Sequence, residues 1–131
     1  MVWLKLSFLC LLFLPTVWAE TTFPFGHLPY TEAQQTDLVT FQGIKIHQDI
    51  LPDLKNMLAA AKKDGVNMIL RSGFRSVKRQ QYLFYDIAKK RGQTLAERAK
   101  VSAPPGHSEH HTGKAVDFDD GDDPKFLNTS F

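Results

Sequence analysis

The chain has 131 residues, which is enough for one domain and short for two. Sixteen basic and fourteen acidic residues give a formal net charge of +2. This near-balance argues against nucleic acid as a partner, because nucleic-acid-binding domains concentrate basic residues on one face. Hydrophobic residues make up 43% of the sequence, which is enough for a core. The single cysteine, Cys10, excludes an intramolecular disulfide and a thiolate metal cluster.

The N-terminal segment Met1–Ala19 has the pattern of a secretory signal peptide. Lys5 supplies the positive charge, and Leu6–Leu14 is an almost unbroken apolar run. The alternative is a membrane anchor, but only fourteen residues lie between Lys5 and Glu20. A spanning helix needs about 20 apolar residues. We therefore expect cleavage before Glu20, export to the periplasm or cell-wall space, and no stable membrane span in the mature protein.

The remaining residues, 20–131, predict a single α+β domain in which helices pack around a small antiparallel sheet. Residues 21–48 are rich in Pro, Gly, Thr and Gln and alternate only at Ile44–Ile46. This pattern indicates an extended arm that ends in one short strand. Apolar residues follow at helical spacing over Leu51–Ala61, and Gly65 is a typical C-terminal stop, so we expect a helix there.

Another strand and two more helices are expected next. Val66–Leu70 is short, apolar and partly β-branched, which is typical of a buried strand. Ser76 can cap a helix over Val77–Lys90 that Gly92 would end. Thr94–Glu97 has the form of a capping box and predicts a short third helix.

The residues that could carry chemistry are concentrated in Gly106–Asp117, which follows a double proline and holds three of the five histidines. Gly113 permits a sharp turn into a predicted strand, Lys114–Asp119. Strand alternation would turn Val116 into the core and Asp117 back toward the histidines. Zinc accepts imidazole nitrogen and carboxylate oxygen together in catalytic sites. The spacing therefore permits a metal site, and a surface loop whose histidines bind nothing is the alternative.

Two separated motifs are more specific than this spacing. The first is S-x-H-x-x-G-x-A-x-D over residues 108–117, and the second is SGFRS over residues 72–76, followed by Gln80. Both resemble motifs of the VanY-type D-alanyl-D-alanine carboxypeptidases, zinc peptidases related to the VanX dipeptidases. The order of predicted elements is also similar, and the likeness covers Glu20–Asp120. The resemblance implies the family's α+β fold, here without its C-terminal part.

The resemblance assigns roles to five residues. His110 and Asp117 match the first two zinc (Zn²⁺) ligands of the family. Arg75 matches the arginine that engages the substrate near its scissile peptide or terminal carboxylate. Its place before a predicted helix start independently favours an anion, although a surface salt bridge is the alternative. Ser108 and Gln80 match polar positions of the substrate site, with ordinary loop and helix hydrogen bonding as the alternative.

The other four histidines lie outside the family's ligand positions. His107 and His111 flank the signature, and we expect them to hydrogen bond near the site or to be exposed, not to bind metal. His27 and His47 lie in the predicted arm without an evident partner, and we expect a structural role for both. The acidic turn Asp119–Asp123 misses the calcium-loop pattern and is expected to be a solvated loop.

In the family, a third zinc ligand and a general-base glutamate lie downstream in a Glu-x-x-[Trp]-His segment. No such segment follows Asp123. We therefore expect residues 20–131 to be the N-terminal portion of a longer enzyme, with no certain catalytic residue among them.

The implied function is that of a zinc-dependent D,D-carboxypeptidase, a monomer that removes the terminal D-alanine from peptidoglycan stem peptides ending in D-Ala-D-Ala. An L,D- or D,D-dipeptidase specificity is also compatible with the motifs. Two alternatives come from other classes. One is a non-catalytic module that binds cell-wall peptides through Arg75, Gln80 and Ser108, and the other is an inactive fragment.

Overall fold

The computed structural model describes residues 23–121, which form helices and two small antiparallel sheets. This arrangement confirms the predicted α+β class. The predicted signal segment, residues 1–19, and the end of the acidic turn, residues 122–123, lie outside the described residues. No helix within the described range is both long and apolar enough to cross a membrane.

The predicted arm contains a β-hairpin. Strand β1 (Leu38–Phe41) pairs antiparallel with β2 (Ile44–His47). Gln42 and Gly43 connect them, both with positive φ, 51° and 80°. Two consecutive positive φ angles are typical of the tight turn that joins hairpin strands. The prediction of one strand was therefore wrong for β1, because Gln-Gly lacks the Asn or Asp that usually indicates such a turn.

Helix α1 (Leu51–Lys63) confirms the first predicted helix. Pro52 lies in its first turn, where the missing N–H costs nothing, and Lys62 and Lys63 lie in its last turn. Leu54 turns inward and is only 4% exposed. It joins the small apolar core, whose other buried members are Ile46 and Leu70.

The second sheet pairs β3 (Met68–Ser72) antiparallel with β4 (Asp117–Asp120). Both strands were predicted but begin later than expected. The Val66 N–H donates to the Ala61 carbonyl (2.9 Å), which ties this residue to the end of α1. The Lys114 N–H donates to the Thr112 hydroxyl (3.0 Å) and so belongs to the preceding turn. Because these residues form hydrogen bonds to neighbouring turns, each strand begins later in the sequence than predicted.

The side chains of β4 and of the preceding Val116 alternate between two faces, as predicted. Val116 and Phe118 pack against the apolar core, and Phe118 lies opposite Leu70 of β3. Asp117 points the other way and is about half exposed. Burial of the two apolar side chains therefore determines the direction in which the Asp117 carboxylate points.

The long predicted helix is present over residues 77–90, but a turn of π-helix divides it. Helix α2 (Val77–Gln81) begins after Ser76, whose hydroxyl accepts the Arg79 N–H (3.1 Å). The π-turn spans Tyr82–Asp86, and α3 (Ile87–Lys90) completes the helix. Phe84 in the π-turn is 1% exposed.

Helix α4 (Leu95–Ala99) confirms the predicted capping box. The Thr94 N–H donates to the Glu97 carboxylate (2.7 Å), and the Glu97 N–H donates to the Thr94 hydroxyl (3.2 Å). Hydrogen bonding to Thr94 also lowers the pKa of Glu97 below its ordinary value. The backbone N–H groups of Thr94 and Glu97 are therefore both satisfied locally.

Gly73 lies between β3 and Arg75 in close contact with β2. The next residue, Phe74, donates its N–H to the Lys45 carbonyl (2.7 Å). A Cβ on Gly73 would overlap the Lys45 carbonyl oxygen and approach the Cγ2 atoms of Ile44 and Ile46 to 2.8 and 2.9 Å. The close approach of this segment to β2 therefore requires glycine at position 73, and it places Arg75 beside the loop that precedes β4.

We expect Gly73→Ala to lower the free energy of unfolding by about 1–3 kcal/mol, the usual cost of overpacking. The cause is the contact with the Lys45 backbone, which the hairpin pairing holds in place. Urea denaturation followed by circular dichroism measures the change. Lys45→Ala is the matched control, because it alters an exposed side chain at the same contact and keeps the carbonyl. Equal losses for the two variants would contradict the expectation.

Candidate functional site

The two motifs singled out in the sequence meet in the structure at the end of β3. The His110 Nδ1 atom lies 2.7 Å from the Gly73 carbonyl oxygen, 37 residues away along the chain. The Arg75 N–H donates to the His110 carbonyl at 2.9 Å. These two hydrogen bonds place the SGFRS segment alongside the histidine-containing loop.

His110 and Asp117 form the pair that could hold a metal ion. The His110 Nε2 atom lies 3.4 Å from the Asp117 Oδ2 atom. Because a carbonyl oxygen can only accept, Nδ1 carries the proton that bonds Gly73, and in the neutral ring Nε2 is then the nitrogen that can bind a metal ion. Two ligands at about 2.0–2.1 Å from a tetrahedral zinc ion lie about 3.3 Å apart. The pair therefore has the separation and donor atoms of two ligands to one ion.

The structure brings together two side chains whose donor atoms suit a zinc site. Within residues 23–121, no cluster of three His, Cys, Asp or Glu side chains could surround one ion. Catalytic zinc usually takes three protein ligands and keeps one position for water. The described residues thus fit part of a zinc site, with His110 and Asp117 as its donors.

Arg75 lies beside this pair. Its Nη2 atom is 3.9 Å from the Asp117 carboxylate and 3.3 Å from the Ser72 hydroxyl, and its Nη1 atom is 3.3 Å from the Gln80 side-chain oxygen. Burial lowers the pKa of Arg75, the Asp117 charge opposes that shift, and Arg79 adds to it. The guanidinium is thus a partly buried cation held by two neutral acceptors. Such a group suits carboxylate binding.

Gln80 lies behind Arg75 and is completely buried. Its amide nitrogen donates to the Ala103 carbonyl (2.6 Å) and to the Ser102 hydroxyl (3.0 Å), while its oxygen accepts from Arg75. Both amide hydrogens are therefore used within the protein. The predicted substrate contact of Gln80 stays a prediction, and its contacts in the structure are those of a group that positions Arg75.

A cleft of about 450 Å³ opens in front of Arg75 and of the two candidate metal ligands, His110 and Asp117, which we call the metal pair. Ser108 lines this cleft and is only 3% exposed, and its predicted contact with substrate stays a prediction. The other lining residues come from the arm, the α4 end and the histidine loop: His27, Ala99, Lys100, Val101, Ser102, Ala103 and Glu109. A larger cavity of about 530 Å³ lies between α1 and β3, away from these groups.

Two lining residues had no signal in the sequence. The His27 Nε2 atom bonds the Ala99 carbonyl at 2.9 Å, and its ring borders the cleft. Glu109 also borders the cleft and accepts a long hydrogen bond from the Tyr30 hydroxyl, 3.4 Å. These hydrogen bonds join the arm to residues 72 and 79 positions later, and no local pattern in the sequence predicts such a pairing.

The remaining histidines differ in their surroundings. His111 is completely buried, with Nδ1 2.6 Å from the Arg75 carbonyl, which confirms the expected hydrogen bonding near the site. His107 bonds the Pro105 carbonyl (2.9 Å). His47 accepts the Asp49 N–H (3.2 Å) at the end of the hairpin, in agreement with a structural role.

Comparison with known proteins relates this site to a family of peptidases. The family model described as VanY, D-alanyl-D-alanine carboxypeptidase, matches residues 43–131, which is more than half of the chain. The D-alanyl-D-alanine carboxypeptidase of Enterococcus faecalis (strain ATCC 700802 / V583) is 38% identical over 84 residues, 58% of this chain and 31% of that protein. The chain spans about a third of the length of the curated relatives it matches.

Two solved structures are similar in fold. VanYB in complex with D-Ala-D-Ala matches with a TM-score of 0.62 and 32% identity, over 72% of this chain and 56% of that one. A mutant of the vancomycin resistance D,D-pentapeptidase VanY in complex with Zn(II) matches with a TM-score of 0.56 and 34% identity, over 64% and 52%. From the match of the family model, this chain belongs to the VanY family of D-alanyl-D-alanine carboxypeptidases.

Proposed function

We propose that this chain carries the zinc-binding and substrate-binding residues of a D,D-carboxypeptidase that removes the terminal D-alanine from peptidoglycan stem peptides. The observation that carries the proposal is the 3.4 Å approach of His110 Nε2 to Asp117 Oδ2, with the Arg75 guanidinium 3.9 Å from the same carboxylate. Family membership supports it. So do the solved relatives, one in complex with Zn(II) and one with D-Ala-D-Ala.

His110 and Asp117 would hold the zinc ion. When bound, zinc polarises the scissile carbonyl and lowers the pKa of a coordinated water. The protein prepares His110 for this task through the hydrogen bond to Gly73, which keeps the proton on Nδ1 and Nε2 free as a ligand. The ring cannot turn away without losing that bond.

Arg75 would bind the terminal carboxylate of the stem peptide or the negative charge that develops during the reaction. Its planar guanidinium offers paired donors to a carboxylate. Ser72 and Gln80 hold it from behind, so little conformational freedom is lost when the substrate binds. A substrate carboxylate would also offset the unfavourable burial of this cation.

The proposal extends to the location and the partner of the protein. We propose export to the periplasm or cell-wall space under the direction of Met1–Ala19, because peptidoglycan lies outside the cytoplasmic membrane and the segment has the charge and apolar run of a signal peptide. The mature protein would act as a monomer on the stem peptide.

We expect the purified protein with zinc to release D-alanine from a pentapeptide ending in D-Ala-D-Ala, and His110→Ala or Asp117→Ala to abolish this release. Residues 23–121 contain no cluster of three possible ligands, whereas catalytic zinc usually has three, so we expect a low rate. An amino-acid assay specific for D-alanine measures it, with a peptide ending in L-Lys-D-Ala to test L,D specificity. Saturable binding without release would favour a peptide-binding module, and an unfolded circular-dichroism spectrum would favour an inactive fragment.

We expect His110→Ala and Asp117→Ala each to weaken zinc binding by more than the roughly 10–100-fold that follows loss of a residue that merely orients a ligand. Competition with a chromophoric chelator measures the zinc affinity. His107→Ala is the matched control, because it removes an imidazole from the same loop. The His107 ring bonds the Pro105 carbonyl and is not one of the proposed ligands. An equal loss in His107→Ala would count against a site at His110 and Asp117.

Arg75→Lys should weaken binding of D-Ala-D-Ala to the zinc-loaded protein by about tenfold or more, the effect of losing a hydrogen bond to a charged group. Lysine keeps the charge but cannot form the paired contact. Calorimetric titration measures the affinity. Arg79→Lys serves as the control, since Arg79 is exposed and stacks over Tyr82 at 4.9 Å. Equal affinity of Arg75→Lys and the unsubstituted protein would exclude the proposed role.

A further inference from the structure

We infer that His111 is a positioning residue that holds Arg75 in register with His110 and Asp117. This inference rests on the proposed function, because it concerns how the same site engages the carboxylate of its substrate. His111 does not line the cleft and lies outside the metal pair. Its effect would pass through the backbone of Arg75.

The first observation is the set of hydrogen bonds that connects residues 110–111 to residues 73–75. The His110 ring bonds the Gly73 carbonyl (2.7 Å), the Arg75 N–H bonds the His110 carbonyl (2.9 Å), and the His111 ring bonds the Arg75 carbonyl (2.6 Å). Both peptide groups of Arg75 are therefore held by this dipeptide. The bond from His111 is the one that restrains the carbonyl side, from which α2 departs.

The second observation is the other side of the same ring. The Gly106 N–H donates to His111 Nε2 at 3.1 Å. Since Nε2 accepts, Nδ1 must carry the proton, which agrees with its bond to the Arg75 carbonyl. The ring therefore joins Arg75 to the Pro-Pro-Gly loop in one defined tautomer.

Further hydrogen bonds connect the same residues to the arm. The Ala33 N–H donates to the His111 carbonyl (2.8 Å), and the Tyr30 N–H donates to the Gly106 carbonyl (2.8 Å). The His111 N–H bonds the Ser108 carbonyl (3.0 Å), and Ser108 lines the cleft. Besides Arg75, His111 therefore forms hydrogen bonds to the arm, to the Pro-Pro-Gly loop and to Ser108.

Complete burial explains why an imidazole is needed here. His111 has no exposed surface, so loss of its ring nitrogens would leave the Arg75 carbonyl and the Gly106 N–H without this buried partner. A ring with one donor and one acceptor on opposite sides satisfies both. An apolar ring of similar size would satisfy neither.

Two conservative variants separate the two bonds. Asparagine places an amide nitrogen near the position of Nδ1 and keeps the donor to Arg75, whereas glutamine places its amide oxygen near Nε2 and keeps the acceptor for Gly106. Both variants lose one buried hydrogen bond, so we expect similar losses of stability in urea denaturation. We expect only His111→Gln to disturb Arg75.

The test combines binding and spectroscopy on the whole chain. We expect His111→Gln to weaken D-Ala-D-Ala binding about tenfold, and His111→Asn to bind within about threefold of the unsubstituted protein, with zinc affinity unchanged in both. Nitrogen-15 NMR should show His111 protonated on Nδ1 alone. The Arg75 Nε–H should be ordered in the unsubstituted protein and in His111→Asn, and mobile in His111→Gln. His107→Asn is the control for substitution in this loop.

An Nε2-protonated His111, or equal dipeptide affinity and equal Arg75 order in folded His111→Gln and His111→Asn, would overturn the inference. A parallel loss of zinc affinity in His111→Gln would also overturn it, because His111 would then act on the metal pair. If the unsubstituted protein does not bind D-Ala-D-Ala, the proposed function fails, and the Arg75 order measurement still decides the role of His111.

Discussion

The site depends on the contact between Gly73 and His110. The Gly73 carbonyl orients the His110 ring at 2.7 Å, and Gly73 itself must lie against the Lys45 backbone, where no side chain fits. One backbone segment therefore binds the hairpin on one side and orients the His110 ring, the proposed metal ligand, on the other. Arg75 and His110 are far apart in the sequence, and this contact helps to hold them next to each other.

Asp117, the second proposed ligand, is positioned in a different way. Asp117 is the first residue of β4, and burial of Val116 and Phe118 in the core turns its carboxylate toward His110. Apolar packing thus determines the position of a polar group. The small core of Ile46, Leu54 and Leu70 therefore supports the site directly.

Polar residues behind the cleft complete the arrangement. Gln80 and His111 are both fully buried, and both form hydrogen bonds to Arg75, one to its side chain and one to its backbone carbonyl. Buried polar groups of this kind are costly unless satisfied, and each is satisfied here by more than one partner. An arginine held in this way is prepared to bind an anion before the anion arrives.

The positions of the helices, the strand alternation that orients Asp117 and the two motifs that resemble the family could all be predicted from the amino-acid sequence. These features are local: caps, turn residues and apolar spacing act within a few positions along the chain. The partners of Gln80, His27 and His111, the π-turn and strand β1 became visible in the folded protein alone. The hydrogen bonds of these three side chains join segments that lie far apart in the chain, and such pairing depends on how the hairpin, the arm and the loop pack together.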